Sequence, residues 1–327
     1  MKRMLTRIVL GLVCAGVASA SQASGTPIRV FIFAGQSNMT GEFGMDELDF
    51  MGYDLALPQA DIPGDYWLAG ATRPGGWGPL EPHDEVTFTS YSSELSFMRL
   101  VKDGDPGTQY ASLKLSRGGA NLADRWAPHN NDIYQAARAY GLDAIQRLTD
   151  MGYEPEVVGL IWIHGDGDLF VQSHAESYAA NLDELVTAFR ADFAAPNMMA
   201  IVSQLHIDQR NGNSLVPIER QQKIDFVNAD SNAVLINNDD LAFRDFFVHL
   251  DGTSRLILGQ RMADAYLASL PPPCDADLTG DGVLDNGDLI AFVGLFLAMD
   301  PSIDLNADGF IDNGDIIAFV TLFLAGC

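Results

Sequence analysis

Short apolar runs alternate along most of this chain with longer stretches whose apolar residues recur at helical spacing. The runs at 28–34, 110–115, 157–163, 199–205 and 233–236 read as buried strands, the first ending at Gly35. The stretches at 132–151, 175–193 and 254–267 read as amphipathic helices. Strands alternating with helices predict an α/β domain, its parallel sheet covered on both faces. In such sheets chemistry sits at the carboxyl ends of the strands. The loops after Ala34, Leu115 and Ile163 are therefore the places to search, with loops such as 44–77 expected to shape a cleft.

The pattern breaks at Leu270, where Pro271, Pro272 and Pro273 follow in a row. Proline cannot continue a helix, so 269–273 reads as a linker. From 274 to 327 there is no Lys or Arg, and there are ten Asp. This tail is a gapless repeat: the segment starting at Asp277 returns 27 residues later at Asp304. Each copy has the spacing of a hard-cation loop, with oxygen donors at alternate positions and a glycine, Gly282 or Gly309, at the sharp turn. The first loop offers Asp277, Thr279, Asp281, the Val283 carbonyl, Asp285 and Asp288. The second offers Asp304, Asn306, Asp308, the Phe310 carbonyl, Asp312 and Asp315. Two structural Ca2+ sites follow as the expectation. Helices starting near Asp288 and Asp315 should pack copy on copy through residues such as Ile290, Phe292, Val293 and Phe296.

Composition sharpens this picture in two ways. A length of 327 residues with 47% apolar content supports one large domain plus a small module. A formal net charge of -25 argues against nucleic acid or anionic lipid as partner. Lys2, Arg3 and Arg7, the apolar run at 8–17 and the small-residue cleavage candidates Ala18-Ser19-Ala20 and Ser21-Gln22-Ala23 form a secretory signal, so 1–23 is expected to be removed. The run is too short to span a membrane comfortably. Export to an extracellular or periplasmic space then leaves Cys274 and Cys327, which bracket the tail and are expected to form a disulfide.

Ser37 lies just beyond the first strand, where backbone N–H groups can bind an oxyanion, although spacing alone favours the plainer reading as a helix cap. Gly35, Gln36, Ser37, Asn38 and Met39, with Gly41, resemble the first block of the SGNH-type carbohydrate esterases, the sialate O-acetylesterase and acetylxylan esterase group. Companion blocks follow in family order over 26–268. Arg117, Gly118, Gly119 and Asn121 are similar to the block whose glycine N–H completes the oxyanion hole. Trp162 to Asp168 resembles the next, with His164 in place of the family's Gln donor and Asp166 in place of Glu. Asp245 to His249, then Gly259 and Arg261, look like the last block, in which His is the general base.

The resemblance implies a three-layer αβα, flavodoxin-like fold and a secreted serine esterase that removes O-acetyl groups from glycans, with no cofactor for catalysis. It casts Ser37 as nucleophile, His249 as base, and Gly118, Gly119 and His164 as oxyanion donors. The family places its acid three residues before the His; here that residue is Phe246, and Asp245 stands four before, with Asp166 as the alternative acid. The tail resembles dockerin modules, an all-α EF-hand-like unit, which implies a scaffold or cell-surface docking partner. A non-catalytic carbohydrate-binding or adhesion protein on the same scaffold is the competing expectation.

Overall fold

The computed structural model describes residues 25–41, 48–68, 71–85, 88–130, 132–270, 274–280 and 282–326. The expected signal segment, the prolines 271–273, Asp281 and Cys327 lie outside the described residues.

Six strands build the centre: β1 (Thr26–Gly35), β2 (Gln59–Leu68), β3 (Tyr110–Ser116), β4 (Tyr153–Ile163), β5 (Met199–Ser203) and β6 (Ala233–Ile236). They run parallel in the order β6-β5-β4-β1-β3-β2, and the short strands Ala71–Thr72 and Gly78–Leu80 add antiparallel to β2. The α/β expectation with a parallel sheet is met. β1 is buried on both faces, which is why it is apolar at nearly every position. Ile28, Val30, Ile32 and Ala34 face one core, shared with the helices Ile133–Asp150 and Tyr178–Asp192. Phe31 and Phe33 face the other, shared with Glu94–Gly104 and Gly252–Ser269. The result is three layers with two cores.

The chain leaves β1 toward β2 and β3, then crosses over to β4 on its other side. That reversal opens a crevice at the carboxyl end of β1, between the loops that follow β3 and β4. One expectation is corrected here. The segment 44–77 is not simply cleft loop, because it contains β2, whose residues 64–68 pair in parallel with β3.

The C-terminal unit has its own small core. Phe292 and Phe319 stack with ring centroids 4.1 Å apart, over buried Ala276 and Ile303. The helices Asn286–Ala298 and Asn313–Ala325 each open on a capping box, Asp285 with Asp288 and Asp312 with Asp315. Phe292 and Phe296 pack inward as expected, but Ile290 and Val293 are exposed. Helical spacing puts 290 and 293 on the same face, away from the one that carries Phe292. Among the described residues no helix is long and apolar enough to cross a membrane.

Candidate active site

Ser37 opens a four-residue helical turn at the end of β1, Ser37–Thr40, so its N–H lies in the first turn with no intrahelical acceptor. The approach to that turn needs glycine. Gly35 has φ +147°, and a Cβ there would lie 2.1 Å from the Ile163 carbonyl oxygen.

His249 arrives on a hairpin, β7 (Phe243–Asp245) paired antiparallel with β8 (His249–Leu250). His249 Nε2 lies 3.0 Å from Ser37 Oγ, and His249 Nδ1 lies 2.7 Å from Asp245 Oδ2. Asp245 Oδ1 also accepts the His249 backbone N–H at 2.9 Å. Asp245 and His249 are directly opposed across the ladder, which sets their side chains on one face. The extra residue relative to the family spacing is taken up by Phe247, which turns the chain with φ +58°. Partial burial pushes the Asp245 carboxyl up, but the hydrogen bonds from the His249 side chain and backbone outweigh it and hold it below the usual carboxylate range.

Asn38 holds the hairpin in place. Its Nδ2 donates to the Val248 carbonyl at 3.1 Å, and its Oδ1 accepts the Leu250 N–H at 3.0 Å. Gln36 ties the same turn to the β4 loop: its Oε1 accepts the N–H groups of Gly165 and Gly167, each at 3.2 Å. Thr40 Oγ1 reaches Ser116 Oγ at 3.1 Å and so joins the turn to β3.

Gly118 and Gly119 lie beyond β3, on a turn anchored by the Arg117 N–H donating to the Gly35 carbonyl at 3.1 Å. Among the described residues neither glycine N–H has an internal acceptor. Gly119 has φ +68°, and its side-chain direction is open space.

The structure corrects the reading of His164. The imidazole is buried, and both ring nitrogens are engaged. Nε2 donates to the Ala120 carbonyl at 2.8 Å, and Nδ1 accepts from the Tyr178 hydroxyl at 3.0 Å. These partners fix the tautomer, so no N–H is left for an oxyanion. Burial, assisted by the Lys223 charge and opposed by the Ala120 bond, lowers its pKa to about 3, so the ring is neutral. His164 instead positions the glycine turn through Ala120. Asp168 does the same, accepting the N–H groups of Leu122 at 2.8 Å and Ala123 at 3.1 Å.

Asp166 is likewise corrected as the alternative acid. Its carboxylate is occupied by Gln209 Nε2 at 2.9 Å and the Arg210 guanidinium at 2.7 Å. Gln209 Nε2 also donates to the Val248 carbonyl at 3.0 Å, so Asp166 braces the hairpin from behind rather than orienting the imidazole. Asn38, Gln36, Asp168 and Gln209 are the residues whose roles sequence reasoning missed. The first three lie inside the motif blocks, which was the available signal; Gln209 had none.

In the tail, the first carboxylate of each loop folds back on its own backbone. Asp277 accepts from Gly280 and Gly282, and Asp304 from Asp308 and Gly309. Gly282 and Gly309 take φ +80° and +84° at matching positions, and Gly280 and Ala307 take +70° and +55°. Asp288 and Asp315 are buried and accept N–H groups from both ends of their loops. Among the described residues no three carboxylate, His or Cys side chains converge as metal ligands. The donors fit a hard cation in type, order and turn geometry, with their oxygens turned to the loop amides. Cys274 is disulfide-bonded; the expected partner, Cys327, lies outside the described residues.

Comparison with known proteins identifies the family of the domain that carries this crevice. Residues 27–268 match the family model "Carbohydrate esterase, sialic acid-specific acetylesterase". A probable carbohydrate esterase of Arabidopsis thaliana is 27% identical over 264 residues, covering 74% of this chain and 92% of that protein. In fold, the chain is similar to an Arabidopsis thaliana protein structure with a TM-score of 0.59 at 20% identity, covering 74% of this chain and 99% of that one. It is also similar to the structure of NanS, with a TM-score of 0.56 at 16% identity, covering 75% and 98%. The chain therefore belongs, over residues 27–268, to the sialic acid-specific acetylesterase family of carbohydrate esterases, and it is a carboxylic ester hydrolase of that group.

Proposed function

We propose that the protein removes O-acetyl groups from glycans through an acyl-enzyme on Ser37. The observation that carries this reading is the line from Ser37 Oγ through the His249 imidazole to Asp245, at 3.0 and 2.7 Å. His249 takes the Ser37 proton as the hydroxyl attacks the acetyl carbonyl, and returns it to the leaving sugar hydroxyl. Asp245, ionised, fixes the Nδ1–H tautomer. The oxyanion sits against the N–H groups of Ser37 and of Gly118 or Gly119, which lack internal partners among the described residues. Water then attacks the acetyl-enzyme, with His249 again as base, and releases acetate.

Wild-type protein should hydrolyse p-nitrophenyl acetate, and Ser37→Ala should lose nearly all of that rate. A well-folded wild type inert toward this ester and toward acetylated glycans would instead support a non-catalytic binding protein.

We further propose that the protein is exported and that its tail is a calcium-dependent docking module. Asp277, Thr279, Asp281, Asp285 and Asp288, with the Val283 carbonyl, would hold one Ca2+. Asp304, Asn306, Asp308, Asp312 and Asp315, with the Phe310 carbonyl, would hold the other. The ion would neutralise each loop and free its amides from the carboxylates. Docking is supported by a repeated exposed stripe: Ile290, Val293 and Leu297 on one helix, and Ile317, Val320 and Leu324 on the next. A Cys274–Cys327 disulfide would close the module.

A further inference from the structure

Phe246 is 93% exposed, the most exposed large apolar side chain among the described residues. Its ring has no internal partner there. Yet the backbone beside it is tied down. Phe246 stands at the tip of the hairpin, between Asp245 and Phe247. Phe247 holds a left-handed backbone, φ +58°, which a bulky residue adopts only when its surroundings impose it. Those surroundings are visible. The Arg210 N–H donates to the Phe247 carbonyl at 2.7 Å, and the Phe247 ring packs against Phe243 at 5.4 Å. The fold spends strain to hold a phenyl ring in water.

Beside this tip runs a groove of about 410 Å³ whose wall includes Phe243, Phe246, Phe247, His206 and Asp208. Asp245 also lines it, so the groove lies against the acid end of the Ser37–His249–Asp245 line. The Asp208 carboxylate is exposed and without a partner among the described residues. Aromatic faces beside a free carboxylate suit a ligand with a C–H face and a rim of hydroxyls, which describes a sugar ring. The groove's other acids, Asp239 and Asp240, are paired with Arg220 and Arg261. Asp245 is taken up by His249, which leaves Asp208 as the lining acid without a partner among the described residues, so a carboxylate-bearing sugar fits less well than a neutral one.

We propose that this groove is a subsite for the neutral sugar unit next to the acetylated one, with Phe246 as its platform. It rests on the acetylesterase reading, since Asp245 is shared, and it makes an oligomeric glycan the substrate rather than a free monosaccharide.

Calorimetry with unacetylated xylotetraose tests the subsite without turnover, in full-length Ser37→Ala protein. Binding is expected. It should weaken about tenfold in Phe246→Ala on that background and persist in Phe246→Trp. In the active enzyme, Phe246→Ala should lower kcat/KM for acetylated xylotetraose about tenfold relative to p-nitrophenyl acetate, mainly through KM. Absence of binding, equal affinity in Phe246→Ala, or tighter binding of an oligogalacturonide overturns the proposal. Failure of wild type on p-nitrophenyl acetate overturns the catalytic reading instead, because the calorimetry needs no chemistry.

Discussion

Asn38 grips the backbone on both sides of His249: its carboxamide donates to the Val248 carbonyl and accepts the Leu250 N–H. The residue after Ser37 thus fixes the position of His249, although 211 positions separate Asn38 from it (249 − 38). Serine and imidazole are registered to one another by a single side chain.

Asn38→Ala should therefore lower kcat by about 100-fold, the scale of an ångström-level misplacement of a reacting group. It should also cost roughly 1–3 kcal/mol of stability, since the part-buried Leu250 N–H loses its acceptor while the Val248 carbonyl keeps only the Gln209 bond. Steady-state kinetics and urea unfolding measure the two effects separately. Asn38→Asp cannot donate to the Val248 carbonyl and should not rescue the rate.

Asp245→Asn should reduce kcat by about 10⁴-fold, because an amide facing Nδ1 favours the wrong tautomer. Asp166→Asn should cost far less, since that carboxylate touches Gln209 and Arg210 rather than the imidazole. Equal losses in the two variants would remove the distinction drawn between the acids.

His164 makes stability sensitive to acid in a direction that can be worked out. Its pKa falls from 6.5 to about 3 on folding, so between those limits the unfolded chain binds a proton that the native state does not. Stability from this group is fully present above pH 6.5 and is lost as pH falls toward 3, by ~1.4 kcal/mol per unit. Asp168 opposes it: burial, partly offset by the Leu122 and Ala123 N–H groups, raises its pKa from 3.8 to about 6, so its contribution falls as pH rises through that range. His164→Gln removes the first effect alone. The variant's urea midpoint should drop less than that of wild type between pH 7 and pH 5.

Gly165→Ala should fail to fold or lose several kcal/mol. Its φ is +140°, and a Cβ would lie 2.0 Å from Glu219 Oε1, a carboxyl buried against Lys223. Expression yield and thermal unfolding check this.

Chelation by EDTA should lower the melting temperature of the tail and leave hydrolysis of p-nitrophenyl acetate by the same full-length protein unchanged, because the proposed route through Ser37 and His249 assigns no step to a metal. Calcium-dependent loss of that hydrolysis would contradict the separation of the two units.

The strands that were easiest to read in the sequence are those buried on both faces. β1 is apolar throughout because two cores claim its alternate residues. β2 was hidden because it carries Pro63, Gly64 and a buried Asp65, whose charge is met by Arg147 from a helix 82 positions away. No local pattern announces such a strand. The same holds in the crevice. Ser37 and His249 stood out through their motif blocks, whereas the role of His164 was misassigned by analogy with glutamine. What decides that role is Tyr178 and Ala120, distant partners that the order of residues does not reveal.

Gln36, Thr40 and Asp168 join the loops after β1, β3 and β4 into a closed ring of hydrogen bonds. No member of that ring can shift alone, so the Ser37 turn and the glycine turn are set as one piece. The tip carrying Phe246 stands outside the ring. On the subsite proposal, recognition is then modular: position 246 could change, and with it the glycan gripped, without recasting the chemistry beneath.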